Sequence, residues 1–209
     1  VQGEGGVVRP APDYLNALRR ICDAHALLLM LDEVQTGNGR TGEWFAFQHN
    51  GIKPDVLATA KGLGNGYPIG ACMTAGPAAD IFKPGDHGST FGGSALASAA
   101  ALAVYRALDE EDLVGNAARI GDYLRKGLQQ GLADCRGIKE IRGIGMMVGV
   151  ELERPCGELV DLARAQGLLI NVASGSTIRL VPPLNLGRTD ADFIIAVVSK
   201  LVKEFCYGS

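Results

Sequence analysis

Apolar positions recur at helical spacing directly after Pro12: Tyr14, Leu15, Leu18, Ile21 and Cys22, with His25 closing the set. Asp13 stands at the N-cap position, so the pattern predicts a first helix. Residues 26–31 follow as an unbroken apolar run, which predicts a strand covered on both faces. That run stops abruptly at two acids, Asp32 and Glu33, and a glycine-containing loop, TGNGRTG, comes next. Residues 55–60 and 69–74 read as two more short strands. The first of these ends at Lys61 and a glycine cluster, Gly62, Gly64 and Gly66. Helix, buried strand and loop in succession predict an α/β layer with a largely parallel sheet.

Residues 94–108 form a strong helical pattern dense in alanine. A second helix starts near Glu111 and keeps Leu113, Ala117, Ile120, Leu124 and Leu128 on one face. The texture then changes. Residues 141–152 and 168–172 read as strands with a helix over 157–166 between them, and 177–181 reads as another strand. Thr189 with Asp192 resembles a capping box opening the last helix. The boundary is expected within 108–113, dividing the chain into 1–110 and 111–209.

Composition narrows the class without choosing a chemistry. The 209 residues are 47% hydrophobic and 21% charged, ordinary for a globular protein. A net charge of −3 gives no reason to expect nucleic acid or an anionic membrane as partner. Five cysteines, odd in number and without a CxxC pair, point to reduced thiols in the cytoplasm rather than a disulfide framework. Three isolated histidines make no metal-ligand pattern. The alanine-rich stretch 94–104 is too short to span a bilayer. The chain begins at Val1 and runs straight into QGEGG, so it is expected to be part of a longer protein.

In open α/β sheets, ligands bind beyond the carboxyl ends of the strands. Asp32 and Lys61 both fall at such ends. A lysine there can form a Schiff base with a carbonyl. A carboxylate beside it can keep a pyridinium nitrogen protonated, so that the ring accepts electrons. Either residue alone is ordinary: the acid as a cap for the next turn, the lysine as an exposed loop residue. GLGNG lacks the spacing of a dinucleotide fingerprint, and RGIGMMVG is an equally weak match.

The order of motifs says more than any one of them. QGEGG, LLLMLDEVQTGNGRTG, PDVLATAKGLGNGYPIGA, HGSTFGG and IRLVPPLN follow one another along the chain. This series closely resembles the class III, or ω-amino-acid, aminotransferases of the pyridoxal-phosphate-dependent fold type I. The acetylornithine/succinylornithine subgroup stands nearest. The resemblance covers the whole chain but only the C-terminal half of such an enzyme. It therefore implies an α/β fold: part of the large cofactor-binding domain over 1–110, and a small α+β domain over 111–209.

By motif position, the resemblance implies pyridoxal 5'-phosphate as cofactor, with Asp32 pairing with its pyridine nitrogen. Lys61 becomes the Schiff-base lysine and later the base that moves the proton between substrate and cofactor. Gln35 is implied near the phenolic oxygen, where an amide can donate or accept. Ser89 and Thr90 are implied at the cofactor phosphate, Thr90 serving the neighbouring subunit of a homodimer. GGSALAS follows where relatives commonly carry GGNPLA. Arg179 is implied to grip the α-carboxylate of glutamate or 2-oxoglutarate with two parallel hydrogen bonds. Glu4 is implied to pair with Arg179 while an ω-amine substrate is bound, and to swing away when glutamate arrives.

The implied reaction moves the ω-amino group of N-acetylornithine or succinylornithine to 2-oxoglutarate. Ornithine and 4-aminobutyrate aminotransferases are the alternatives within the class. A non-catalytic binding module that keeps old motifs is the alternative outside it. No metal, nucleic acid or membrane is expected. The 209 residues alone are expected to be inactive and prone to aggregate. His25, His87, Trp44, Phe45, Phe47, Arg40 and Thr41 draw no functional assignment.

Overall fold

A computed structural model describes residues 1–208. The chain divides into two compact units: residues 10–114, and residues 115–209 joined by the first nine residues of the chain. The expected division lay at 110/111. The main difference is that 1–9 travels with the C-terminal unit.

In the first unit, α1 (Tyr14–Ala24) leads to β1 (Met30–Asp32), β2 (Val56–Thr59) and β3 (Ala71–Thr74), and the unit closes with α2 (Ala95–Glu110). The sheet order is β1-β2-β3. β1 and β2 run parallel with Asp32 opposite Ala58, whereas β2 and β3 run antiparallel, so the sheet is mixed. The apolar run 26–31 was expected to be covered on both faces. Only its end is strand, and Met30 is 67% exposed. Among the described residues β1 pairs with β2 alone. Asp13 precedes α1 without a side-chain cap. Nor does Ser94 cap α2 through its hydroxyl.

A carboxylate knits this unit together. The Asp55 side chain accepts from Arg19 at 2.7 Å and from the Leu29 N–H at 2.8 Å. Its backbone N–H donates to the Leu29 carbonyl, and its carbonyl accepts from Ala75. One residue thus joins α1, the approach to β1 and the end of β3.

The second unit is built on α3 (Leu113–Gly131), β4 (Ile138–Ile144), β5 (Met147–Leu152), α4 (Leu159–Ala165), β6 (Asn171–Ala173), β7 (Thr177–Leu180) and α5 (Arg188–Tyr207). Its sheet is antiparallel throughout, in the order β4-β5-β7-β6. Residues 141–152, expected as one strand, are instead most of a hairpin. The turn Gly145–Met146 breaks the run, with Gly145 in the left-handed region. That turn also lies hard against α3: a Cβ on Gly121 would stand 2.1 Å from the Gly145 carbonyl oxygen, so only glycine fits. The core gathers Leu124 and Leu128 of α3, Val148 and Val150 of β5, and Val198 and Val202 of α5. The capping box expected at Thr189 and Asp192 does not form. Gly187 precedes α5, and Asp192 instead accepts from the Tyr123 hydroxyl. Among the described residues, no helix is long and apolar enough to cross a membrane.

The Arg19 and Leu29 hydrogen bonds hold the Asp55 carboxyl below the usual carboxylate range. A depressed folded pKa means stability that is present above the unfolded pKa and lost as pH falls through the folded one. Acid titration of Asp55→Asn should therefore show lower stability at neutral pH. It should also show a shallower loss below about pH 4 than the parent, because the group that releases this stability is gone.

Candidate active site

The parallel pairing of β1 and β2 brings the predicted acid and lysine to one edge. Asp32 is the last residue of β1, and Lys61 follows β2 after Ala60. Both strands end in the same direction, so both side chains leave from the carboxyl end of the sheet. Asp32 is exposed and accepts from the Val34 N–H at 2.9 Å. Lys61 is also exposed, and its φ of +46° lies in the left-handed region, costly for a residue with a Cβ.

Strained backbone persists only where its surroundings hold it. Here the Asn38 side-chain amide donates to the Thr59 hydroxyl at 2.9 Å and to the Ala60 carbonyl at 3.2 Å. The Leu63 N–H donates to that same Ala60 carbonyl at 3.0 Å, and the Gly64 and Asn65 N–H groups both donate to the Lys61 carbonyl. A Cβ on Gly64 would stand 2.1 Å from the Tyr67 carbonyl oxygen, which explains why this tight loop carries glycine. The amide of one motif thus holds the turn of the other.

Glu33 plays a different part from Asp32, because successive strand residues face opposite ways. Glu33 is 3% exposed. It accepts from the Ala46 N–H at 2.9 Å, the Phe47 N–H at 2.8 Å and the Thr36 hydroxyl. Ala46 and Phe47 open a short helical turn, Ala46–Asn50, whose first N–H groups lack intrahelical acceptors. Glu33 therefore folds the DEVQTG loop back onto that turn. Gln35, between these anchors, is half-buried. The aromatic residues nearby serve packing: Trp44 stacks on Tyr105 at 4.8 Å, and Phe45 on Phe47 at 6.1 Å.

Ser89 and Thr90 lie in the exposed loop that leads into α2. The Ser89 hydroxyl accepts from the Gly92 N–H at 3.0 Å, and Phe91 beside Thr90 is 82% exposed.

The remaining predicted pair belongs to the second unit. Arg179, on β7, donates to the Glu4 carboxylate at 2.5 Å. The two ends of this ion pair are unlike: the arginine side chain is 15% exposed and the glutamate 73%. The Arg179 Nε is buried with no hydrogen-bond partner among the described residues. A mostly buried guanidinium with a spare donor, held by a mostly exposed carboxylate, can exchange that carboxylate for another. Asp32 with Lys61, and Glu4 with Arg179, are thus two local constellations, one in each unit. Among the described residues no cluster of histidine, cysteine and acid side chains could hold a metal ion.

Known proteins resemble this chain along nearly its whole length. The profile of the family described as aminotransferase class-III matches residues 1–202. An acetylornithine aminotransferase of Nitrosomonas europaea is 50% identical over 98% of this chain and 52% of its own length. One of Bordetella pertussis, acetylornithine aminotransferase 1, is likewise 50% identical over the same shares. Among solved structures, the acetylornithine aminotransferase of Elizabethkingia anophelis superposes with a TM-score of 0.92 at 33% identity, covering 98% of this chain and 52% of that one. The ornithine aminotransferase of Plasmodium yoelii gives 0.93 at 34%, covering 98% and 56%. The chain belongs to the class-III aminotransferase family. It spans about half the length of the curated relatives it matches.

Three residues that support these constellations were given no role from the sequence: Glu33, Asn38 and Arg142. For Glu33 the signal was present, since strand alternation turns it inward where Asp32 turns outward. Its amide counterpart should make the point. In Glu33→Gln, the side-chain NH2 replaces an acceptor that faces a backbone N–H, leaving a buried donor unpartnered. Urea unfolding should show a loss of about 1–3 kcal/mol.

Proposed function

We propose that this chain is the part of a pyridoxal-phosphate-dependent aminotransferase that carries the Schiff-base lysine and the substrate-carboxylate arginine. The reaction proposed is transfer of the ω-amino group of N-acetylornithine to 2-oxoglutarate, giving a semialdehyde and glutamate. The observation that carries this reading is Lys61, held with positive φ at the end of β2, with Asp32 at the end of the parallel neighbour β1. The choice of N-acetylornithine rests on relatives of that name at 50% identity. Ornithine is the second reading, supported by the ornithine aminotransferase structures among the neighbours.

The donor set fits pyridoxal phosphate. Asp32 offers a carboxylate to a protonated ring nitrogen, Gln35 an amide to the phenolic oxygen, and Lys61 an amine to the aldehyde. The cofactor, when bound, supplies a sink for the electrons left when the substrate loses its α- or ω-carbon proton. Everything else falls to side chains. Lys61 would hold the cofactor covalently and, once displaced by substrate, carry that proton with its free amine. Asp32 would keep the ring nitrogen charged.

Arg179 would take the α-carboxylate of glutamate or 2-oxoglutarate, its buried and unpartnered Nε providing the second bond of a fork. Glu4 would occupy Arg179 while N-acetylornithine reacts. In this reading residues 1–110 belong to the large cofactor domain and 111–209 to the small one. Ser89 and Thr90 would serve the phosphate of a second subunit in a homodimer, a role that their exposed loop supports. The five unpaired thiols suit a reducing cytoplasm. The 209 residues by themselves are expected to lack turnover, since they span about half of the relatives they match, and to aggregate, since Leu27, Met30 and Phe91 stand exposed on the first unit.

The test is chemical. Borohydride reduction of the full-length holoenzyme, followed by peptide mapping, should place the pyridoxyl group on Lys61. Lys61→Ala should reduce turnover by at least about a thousandfold, as loss of a covalent and proton-carrying group does. Labelling at another lysine, or a Lys61→Ala enzyme with full turnover, would defeat the assignment.

A further inference from the structure

The Glu4 turn lies on a row of residues that crosses the second unit's sheet. Arg142 on β4 pairs opposite Gly149 on β5, and Gly149 pairs opposite Arg179 on β7. The glycine in the middle of this row has a reason. A Cβ there would stand 3.2 Å from both the Gly6 carbonyl oxygen and the Val7 Cβ, so the bare backbone lets the turn settle onto the sheet. The turn therefore meets an arginine on either side of Gly149. Its backbone is held by Arg142 and its Glu4 side chain by Arg179.

The hold on the backbone is extensive. Arg142 donates from NH2 to the Gly6 carbonyl at 2.6 Å, and from Nε to Gly6 at 3.0 Å and to Val7 at 3.2 Å. The other side of its guanidinium bonds Glu151 at 2.5 Å and Glu140 at 2.9 Å. Its side chain is only 10% exposed. Within the turn, the Gly6 and Val7 N–H groups donate to the Gly3 carbonyl, and Gln2 and Val8 exchange a pair of bonds. Ser174 reaches the Glu4 carbonyl at 3.3 Å. Val7 is fully buried with φ at +58°, a conformation a β-branched residue adopts only when its surroundings impose it.

We propose that Arg142 is a specificity-determining positioning residue. By clamping the Gly6 and Val7 carbonyls, it keeps the turn rigid, so that Glu4 leaves Arg179 by rotating one side chain over a fixed backbone. This rests on the function proposed above, in which Glu4 and a substrate carboxylate compete for Arg179. A rigid turn keeps the Glu4 carboxylate close to Arg179 and favours the closed pair. A loose turn lets the carboxylate drift and hands the arginine to glutamate. Arg142 touches neither substrate nor cofactor in this account and acts through Glu4.

The test uses the full-length holoenzyme and measures the two half-reactions separately. In Arg142→Lys the charge beside Glu151 remains, but a single ammonium cannot replace the fork on two carbonyls. The ω-amine half-reaction should lose about tenfold in kcat/KM, whereas the glutamate half-reaction should hold or improve through a lower KM. Glutarate, a dicarboxylate without an amine, should bind about threefold tighter or more, because its competitor is less often in place. Should Arg142→Lys fail to fold, the double variant Arg142→Met/Glu151→Gln removes both buried charges and should shift the same ratio the same way.

Equal losses in both half-reactions, or unchanged glutarate binding, would overturn the proposal. Glu4→Ala separates its failure from that of the underlying reading. If Glu4→Ala shifts the ratio and neither Arg142 variant does, Arg142 is only structural. If Glu4→Ala leaves the ratio unchanged, the competition at Arg179 does not exist and both fall.

Discussion

The buried carboxylate of Glu33 is the constraint on which the first unit's candidate site depends. A carboxylate taken out of water costs several kcal/mol unless its oxygens are re-paired. Here both oxygens accept backbone N–H groups, one of them shares the Thr36 hydroxyl, and those N–H groups are the orphans that open a helical turn. Two deficits cancel, and the chain between them is folded back as a result. The Glu33 N–H bonds the Ala58 carbonyl, so the same residue also continues the β1–β2 pairing one step beyond the strand. Asp32 is left at the rim with its carboxylate outward. Asn38, five residues beyond Glu33, then reaches across to the approach to Lys61. The acid and the lysine are thus placed by the hydrogen bonds of their neighbours.

The second unit solves a similar problem by other means. Its sheet is antiparallel and well covered, with Val148 and Val150 fully buried. Its Glu4 turn comes from the far end of the sequence and is laid on that sheet by a guanidinium. Arg142 meets two backbone carbonyls and two carboxylates, and its hydrogen bond to Glu151, with that of Lys139 next, holds the Glu151 carboxyl below its usual range. The local charges are therefore satisfied among themselves, which leaves the exposed Glu4 carboxylate to Arg179.

What could be read from the sequence follows from how local each cause is. The helical face of α3 was legible because its apolar positions repeat against one core. The strand ends bearing Asp32 and Lys61 were legible because a hydrophobic run stops where it meets the sheet edge. The β4–β5 hairpin was not, since Gly145 and Met146 interrupt an apolar run without the Asn-Gly or Asp-Gly pair that announces a tight turn. The exposure of Met30 belongs to this chain taken alone, which spans about half the length of the relatives it matches. An apolar residue in a strand says that burial would be favourable, whereas the neighbours that supply it are a property of the sheet. Asn38 and Arg142 are harder still, because each works through carbonyl groups that sequence does not reveal as partners.

The same distinction explains why two glycines carry so much of the architecture. Gly149 and Gly64 perform no chemistry, yet one lets the Glu4 turn lie between two arginines and the other lets the Lys61 loop close on the Tyr67 carbonyl. In each case a side chain would occupy the space through which backbone must pass. The reactive residues can then be held by backbone hydrogen bonds, which are short and directional and lose little when a flexible side chain rotates. Under the function proposed here, a site for two unlike substrates would gain from that division: the frame would stay fixed, and only Glu4, already exposed and joined to Arg179 by its carboxylate, would have to move.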